Sequence, residues 1–375
     1  MKNSVLISGA GVAGLATAYW LMRFGFSVTL VERAPALRGG GQAVDVRGVA
    51  LDVLRSMGLH DAVRARRTRF RGMSVLDRDS HELQRDESRT YSGGRLDSGD
   101  LEVFRDDLCT LLARPLEGRV DMRLALQITA LEEDAAGLTA TFSDGTQQRY
   151  DLLVGADGVY SNVRRLTLDP LDSCVQPLGV AMALYTTPNL PGLQQWEWMY
   201  REAELGLVAY PTPDDAELRV GIGFSATPDR ARRDDAAAQK ALVLEHCAHL
   251  GGELGSLVTA VTDSPRFYCG DLAQVHLPAW SAGRVVLVGD AAHCTSPFSG
   301  QGTSLALVGG FVLARELARS STDVASAFAS YERRMRPYVK LNQALVDPTR
   351  EGPVPDDQMD QAKLGIVLED LPAAA

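Results

Sequence analysis

The sequence predicts an α/β fold, and three observations carry that expectation. A glycine-rich turn, Gly9-Ala10-Gly11-Val12-Ala13-Gly14, stands between the apolar run Val5–Ile7 and a segment of helical spacing, Leu15–Phe24. Two further runs, Leu152-Leu153-Val154 and Val285–Val288, are continuously apolar, as strands buried on both faces are. Between these landmarks long stretches alternate with period two, the pattern of half-buried sheet. Together they describe a Rossmann-like nucleotide-binding domain, a second β-sheet domain that is discontinuous in sequence, and a C-terminal helix.

The elements follow in order. In Leu15–Phe24 the residues Leu15, Ala18, Tyr19 and Met22 share one face, and Gly25 supplies a C-terminal stop. Val28–Val31 is the second strand, closing with Glu32-Arg33, so the chain opens as a βαβ unit. Helical spacing returns in Val49–Met57 and in Leu101–Leu112. Residues of about 70 to 98 read as a β excursion, rich in Arg, Asp, Ser and Gly around Met73-Ser74-Val75-Leu76. Val120–Phe142 alternates, with Asp144-Gly145 as a hairpin turn. Strands then dominate in Val180–Tyr185, Gln195–Tyr200, Leu205–Pro211 and Leu218–Phe224, before a helical segment, Ala236–Leu250. Thr303–Leu317 is a long helix, and the tail beyond about Pro348 has weak periodicity. Its acidic residues Asp356, Asp357, Asp360, Glu369 and Asp370 read as solvated.

The composition narrows the function. A length of 375 residues accommodates a nucleotide-binding domain plus a second lobe. The net charge of −10 disfavours nucleic acid as a partner. One basic run, Arg64, Arg66, Arg67, Arg69 and Arg71, stands against that balance; it reads as a solvated face or as a patch attracting an anionic dinucleotide. Five scattered cysteines without a CxxC pair indicate neither a disulfide framework nor a zinc site, and metal ligands are not expected. No apolar run reaches the length of a membrane span. The N-terminal stretch could pass for a signal peptide, but a complete strand–turn–helix pattern occupies it; the scattered cysteines fit a reducing cytoplasm, which is the expected location.

The chemistry lies in three motifs. In the GxGxxG turn Gly9 permits a tight bend, Gly11 lets backbone approach a pyrophosphate, and Gly14 lets the helix pack on the strand. The following helix N-terminus offers free N–H groups to phosphates. Glu32 at the end of the second strand can accept from a ribose diol. This pattern alone permits FAD or NAD. The second motif runs Asp151 to Arg165 and carries Asp157 in a Gly-bracketed turn. The third runs Arg284 to His293, and its Asp290 can accept from polyol hydroxyls. Pro297-Phe298-Ser299-Gly300-Gln301-Gly302 then leads into a helix whose N–H groups favour negative charge.

These three motifs, in this order, resemble the group A FAD-dependent aromatic monooxygenases, the para-hydroxybenzoate hydroxylase-like family. Gly289–Leu317 is especially similar to the tetracycline-inactivating and polyketide-tailoring branches. The resemblance covers most of the chain to about residue 345 and implies non-covalent FAD, reduction by NADPH or NADH, and O₂ activated as a C4a-hydroperoxyflavin. It implies that Gly9, Gly11, Val12, Ala13 and Gly14 form the pyrophosphate loop and that Glu32, with Arg33 beside it, meets the adenosine ribose. Arg105 matches an arginine reaching the FAD phosphates or ribityl, and Arg47 one in a loop near the cofactor. Asp157 matches an Asp-Gly motif tied to FAD and the nicotinamide donor, and Asp290 the ribityl ligand. Pro297, Gly300, Gln301 and Gly302 match the segment beside the isoalloxazine. Ser296-Pro297 stands where many relatives have two prolines.

On this reading residues 1–70, 99–169 and 279–345 form the FAD-binding domain, the last part carrying the long helix. Residues 71–98 and 170–278 form the substrate domain, and 346–375 a C-terminal tail. Trp196, Trp198 and Tyr200 fall at period two and read either as a wall for a flat aromatic ligand or as core packing. Tyr210, with Pro211, and Pro297 are further substrate-side candidates. The Gly-x-Trp-x-Trp-x-Ile-Pro setting of flavin halogenases is absent.

Plainer readings stand beside these: Asp157 as a turn cap, Arg47 and Arg105 as ion-pair arginines, His293 and Cys294 as packing residues. No residue declares itself as a substrate-deprotonating base. The expected activity is hydroxylation of an aromatic or polyketide-like small molecule, a natural-product tailoring step, by a monomer or weak homodimer. The alternatives are a flavin oxidase or reductase on the same scaffold, or a non-catalytic flavin-binding redox module.

Overall fold

The structure is a computed structural model describing residues 4–373 apart from 38, 40, 92, 228–234, 321–322, 348–349 and 351–352. Its first layer is a six-stranded sheet in the order Ser281–Ala282, Val285–Leu287, Leu152–Gly155, Ser4–Ser8, Ser27–Val31, Asp121–Arg123. All neighbours are parallel except the first pair. Leu6, Ile7, Leu30, Leu153, Val154, Val286 and Leu287 are fully buried, which is why these runs are apolar without alternation. Burial of each such side chain contributes about 1.5–3 kcal/mol. The helices Val12–Arg23 and Gly302–Arg319 lie against each other on this sheet, closely enough that a Cβ on Gly310 would sit 2.9 Å from the Thr17 backbone nitrogen.

The second layer is a seven-stranded sheet in the order Phe267–Val275, Val175–Pro188, Glu217–Ser225, Leu205–Pro211, Glu197–Arg201, Met73–Leu76, Glu82–Asp86. One face is covered by the helices Ala236–His246 and Gly252–Thr259, with Tyr185, Leu207, Ala209, Val220, Ile222, Phe224, Val243 and Leu254 in a separate core. Met73–Leu76 enters this sheet parallel to Glu197–Arg201.

Three expectations are corrected. The segment Leu101–Leu112 is not one helix: Leu101–Phe104 is a strand, antiparallel to Ala43–Val46, and the helix begins at Arg105 and runs to Ala113. The strand depends on a partner far upstream, which local spacing does not report. A second long helix, Val324–Gln343, follows Gly302–Arg319; it buries Phe328, Tyr331, Met335 and Tyr338 and tolerates Pro337 in its interior. The tail carries a helix, Asp356–Lys363, and its acids are not simply solvated. Asp370 meets Arg315, Arg319 and Arg334 at 3.3, 3.1 and 3.2 Å. Asp356 faces Arg89 and Arg95, and Lys363 joins Asp100 at 3.2 Å.

Candidate active site

The glycines of the first turn have separable reasons. Gly9 has φ +105°, and a Cβ there would lie 2.5 Å from the Ala156 carbonyl oxygen. A Cβ on Gly14 would run into the Gly9 carbonyl. At Gly11 a Cβ would meet nothing within 4 Å, and φ is an ordinary −78°. The protein itself therefore demands glycine at 9 and 14, while Gly11 faces open space. The helix that starts at Val12 has no side-chain cap, so its first N–H groups are open to an anion. Val12 and Ala13 are buried in that first turn.

Glu32 is pinned beside the turn, accepting from the N–H of Ala10 and of Ala34, both at 2.9 Å. Arg33 next to it is exposed. Arg105, at the first position of its helix, packs against Gly41, and its Nε is buried with no partner. A buried, unpartnered guanidinium nitrogen is costly unless an acceptor reaches it.

The other motif loops converge on the same place. A Cβ on Gly9 would lie 3.0 Å from Asp157 Cα, and one on Gly289 2.7 Å from Ala13 Cβ. The site is thus built at the carboxyl ends of the strands Ser4–Ser8, Leu152–Gly155 and Val285–Leu287. Asp157 accepts from Ser161 Oγ at 2.5 Å and from the N–H of Asn162 and Val163 at 2.9 and 3.0 Å, so it does cap the following turn. Burial raises its pKa in spite of those bonds. Arg164, absent from the sequence candidates although it lies within the second motif, ties two loops together. Its guanidinium donates to Val159 O, Ala291 O and Asp172 at 2.8, 3.0 and 2.8 Å.

Asp290 begins a short helix after Gly289 (φ +62°). Its side chain is exposed to solvent, yet desolvation raises its pKa. Both hold for a carboxylate in a narrow cleft, reached by water but flanked by protein. A Cβ on Gly302 would come within 3.9 Å of its Oδ1. Pro297–Ser299 forms a 3₁₀ turn, Gly300 is left-handed, and the helix from Gly302 again has no side-chain cap. Gln301 donates to Met359 Sδ at 2.9 Å, and its Oε1 is buried without a partner.

Arg47 is buried beside this segment. A Cβ on Gly300 would lie 3.7 Å from its Nη2 and 3.8 Å from Asp45 Oδ2. It pairs with Asp45 at 2.8 Å and Asp100 at 3.9 Å and donates to Gly93 O at 3.1 Å, leaving Nε unpartnered. Burial pushes the Asp45 carboxyl up, even beside Arg47. His293 and Cys294 pack inward. The His293 ring lies 4.7 Å from Trp280, and burial lowers its pKa to about 4. The Cys294 thiol donates to Ala273 O at 3.4 Å, and burial raises its pKa well above the usual range.

The aromatic residues of the second sheet do not form one wall. Trp198 and Tyr200 turn into the core beneath the helices. Trp196 lies ahead of the strand, after Gln195 with φ +51°; its Nε1 donates to Ser74 Oγ at 2.8 Å and Arg85 covers its ring at 3.8 Å. Tyr210 is on the opposite face. Its hydroxyl accepts from the N–H of Ala43 at 3.0 Å, and its ring meets Phe70 and Phe104. On that same face Met199, Val208, Gly221 and Leu184 stand in register across four strands, with Met182 opposite Gly223. Met182, Leu184, Met199 and Val208 are only half-buried. The two glycines notch this apolar floor, and Arg219, in register with Tyr210 and donating to Thr186 Oγ1 at 2.6 Å, borders it.

The residues fit a flavin dinucleotide. A glycine with nothing above it, two uncapped helix starts, a cleft carboxylate and unpartnered donors on Arg47 and Arg105 suit phosphates, a polyol and a ring with polar edges. Among the described residues no cluster of three His, Cys, Asp or Glu suits a metal, and no helix is long and apolar enough to cross a membrane. Residues 2–344 match the family described as FAD binding domain. The chain is 41% identical to Uncharacterized protein MT1298 of Mycobacterium tuberculosis (strain CDC 1551 / Oshkosh), over 98% of its own length and 100% of that protein's. It is 35% identical to the Flavin-dependent monooxygenase of Legionella longbeachae serogroup 1 (strain NSW150), over 91% and 87% of the two lengths. The crystal structure of tetracycline destructase Tet(51) superposes with a TM-score of 0.89 at 30% identity, covering 99% and 100% of the two chains. The chain belongs to the FAD binding domain family and is an FAD-dependent monooxygenase of the group A aromatic hydroxylase type.

Proposed function

We propose that the enzyme hydroxylates a flat, electron-rich small molecule, a phenol or enol of aromatic or polyketide type, at the expense of NAD(P)H and O₂. The observation that carries this reading is the half-buried apolar floor of Met182, Leu184, Met199 and Val208, notched at Gly221 and Gly223 and turned away from the helical core. A planar ring can lie on this face, which is most open at Gly223, where a Cβ would meet only Val180, at 3.8 Å. The likeness to a tetracycline destructase supports a polycyclic substrate. The seven-stranded sheet is then the substrate part of the chain, and the six-stranded sheet with its helices the FAD-binding part.

FAD, when bound, supplies the redox chemistry: two electrons from NAD(P)H and one O₂ place one oxygen atom in a substrate C–H bond and release the other as water. The protein supplies binding, orientation and a dry setting. Gly11 and the N–H groups of the Val12–Arg23 helix would hold the pyrophosphate, Glu32 the ribose, Arg105 a phosphate or ribityl oxygen, and Asp290 the polyol. The uncapped helix from Gly302 favours negative charge on the ring system beside Pro297 and Gly300–Gly302. Arg47, held by Asp45 and Asp100, keeps an unpartnered Nε–H beside Gly300. Asp157 fixes its own turn and Arg164 ties that turn to the Ala291 loop, a positioning task.

The test is a visible spectrum of the purified protein, before and after anaerobic NADPH, with and without candidate phenols. Flavin bands that bleach faster with one phenol, and an oxygenated product once air is admitted, meet the expectation. Hydrogen peroxide with no oxygenated product would mark an oxidase, and a protein that takes up no FAD would refute the reading altogether.

A further inference from the structure

The basic run after the helix His60–Ala65 has an order that composition does not show. From Arg67 the chain runs beside the strand Leu101–Phe104. Arg67 bridges Val103, the Thr68 N–H donates to Glu102 O at 2.8 Å, and the Arg71 N–H donates to Gln195 O at 2.9 Å. Burial alternates along it. Thr68 and Phe70 turn inward, Thr68 Oγ1 donating to Glu102 Oε2 at 2.5 Å and the Phe70 ring lying 5.5 Å from Tyr210. Arg67, Arg69 and Arg71 are exposed. Alternate side chains of an extended segment share a face at about 7 Å intervals, so the three guanidiniums form a ladder. Arg66, off this face, is neutralised by Asp107. Among the described residues no carboxylate pairs with Arg67, Arg69 or Arg71, in a chain of net charge −10. Elsewhere on this surface arginines commonly have an acid beside them, as Arg95 has Asp97 and Arg123 has Asp121.

The position of the ladder matters as much as its charge. It borders the strand Leu101–Phe104, which pairs with Ala43–Val46. Asp45 on that inner strand and Arg47 just past its end stand beside Gly300. Two strand spacings, about 10 Å, therefore separate the ladder from the strand that flanks the flavin segment. Charges on an edge also prevent edge-to-edge pairing, but any charged residue serves that end. Three arginines in line offer planar forks that match phosphate oxygens.

We propose that Arg67, Arg69 and Arg71 bind the phosphates of the nicotinamide dinucleotide that reduces the flavin, and that the extra 2′-phosphate makes NADPH the preferred donor over NADH. This rests on the reading that a nicotinamide donor is the reductant.

The experiment uses the FAD-loaded enzyme and two probes. NADP⁺ affinity is measured by titration at low and high salt, and anaerobic flavin bleaching is followed with NADPH, NADH and N-benzyl-1,4-dihydronicotinamide, which has no phosphate. In the triple variant R67Q/R69Q/R71Q the NADP⁺ Kd rises at least about tenfold, at up to about fivefold per lost contact. Its salt dependence flattens, while bleaching by the phosphate-free donor is unchanged. The lysine variant R67K/R69K/R71K keeps the edge charged and recovers part of the affinity. NADP⁺ affinity equal in wild type, glutamine and lysine variants overturns the ladder and leaves the monooxygenase reading standing, provided NADPH still bleaches the wild type. A wild type bleached by the phosphate-free donor but neither binding NADP⁺ nor bleached by NADPH overturns both the ladder and the nicotinamide part of the proposed function.

Discussion

His293 lies between Asp290 and the Pro297–Gly302 segment, and its burial decides whether it titrates as a base or serves as packing. The ring is 2% exposed, Nε2 has no partner, and Trp280, 4.7 Å away, carries Arg336 at 4.6 Å from its own centroid. Burial first, then Arg336, lower the pKa from 6.5 to about 4. The unfolded chain therefore binds a proton between those values that the folded chain refuses. Stability from this group is full above pH 6.5 and is lost as pH falls from 6.5 towards 4. At 1.36 kcal/mol per unit, moving from pH 7.5 to 5 costs about 2 kcal/mol, a large part of a typical folding free energy. The perturbation is His293→Leu, and the assay is the urea midpoint of wild type and variant at both pH values. The wild type loses about 2 kcal/mol more than the variant on acidification, and the variant, once loaded with flavin, keeps its hydroxylase activity. Coincident pH slopes would refute the burial argument. A folded, flavin-loaded and inactive H293L protein would instead make the residue a base.

Further outcomes follow from other contacts. Gly11→Ala leaves the fold intact, because its Cβ meets nothing within 4 Å, and raises the FAD Kd about tenfold or more; Gly14→Ala, driven into the Gly9 carbonyl, costs upwards of about 4 kcal/mol and gives insoluble protein. Thermal melting of the apo-proteins and flavin titration separate the two. Asp370→Asn lowers stability by about 1–2 kcal/mol at pH 7, since burial raises this carboxyl but Arg334 and Arg319 outweigh it and hold it below 3.8. That contribution is present above the unfolded pKa and fades as pH falls below it, so the wild-type and variant melting curves converge in acid. Leu184→Trp fills the floor beside Gly221 and raises KM for the organic substrate about tenfold or more while the flavin spectrum and FAD affinity stay as in wild type.

The first and last thirds of the candidate cofactor site are legible in the sequence because their structural requirements fall on particular residues. Gly9 and Gly14 admit no Cβ, and the strands Ser4–Ser8 and Leu152–Gly155 are buried on both faces, so their apolar runs are unbroken. Leu101–Phe104 was opaque because its apolar spacing continues smoothly into Arg105–Ala113, and only its pairing with Ala43–Val46 makes it a strand. The helix Val324–Gln343 did leave a signal: Phe328, Tyr331, Met335, Tyr338 and Val339 recur at helical spacing, and Pro337 obscures it. The tail left almost none, since Asp370 is held by arginines from two distant helices rather than by its neighbours.

The substrate side shows a deeper asymmetry. A dinucleotide is held largely by backbone N–H groups at helix starts, so the chain must omit side chains there, and an omission is visible as glycine. A planar substrate is met by one face of a sheet. Period two divides Glu197–Arg201 into two faces, one with Trp198 and Tyr200 and one with Glu197 and Met199, and nothing within the strand says which face the helices will cover. The helices Ala236–His246 and Gly252–Thr259 cover the aromatic one. What distinguishes the open face is its glycines: Gly221 and Gly223 fall in register with Val208, Leu184 and Met182, three strands' worth of residues that become neighbours only once the pairing is known. The aromatic rings, the most conspicuous letters in that stretch, hold the lobe together, and on the proposed function it is the small ones that leave room for the ligand.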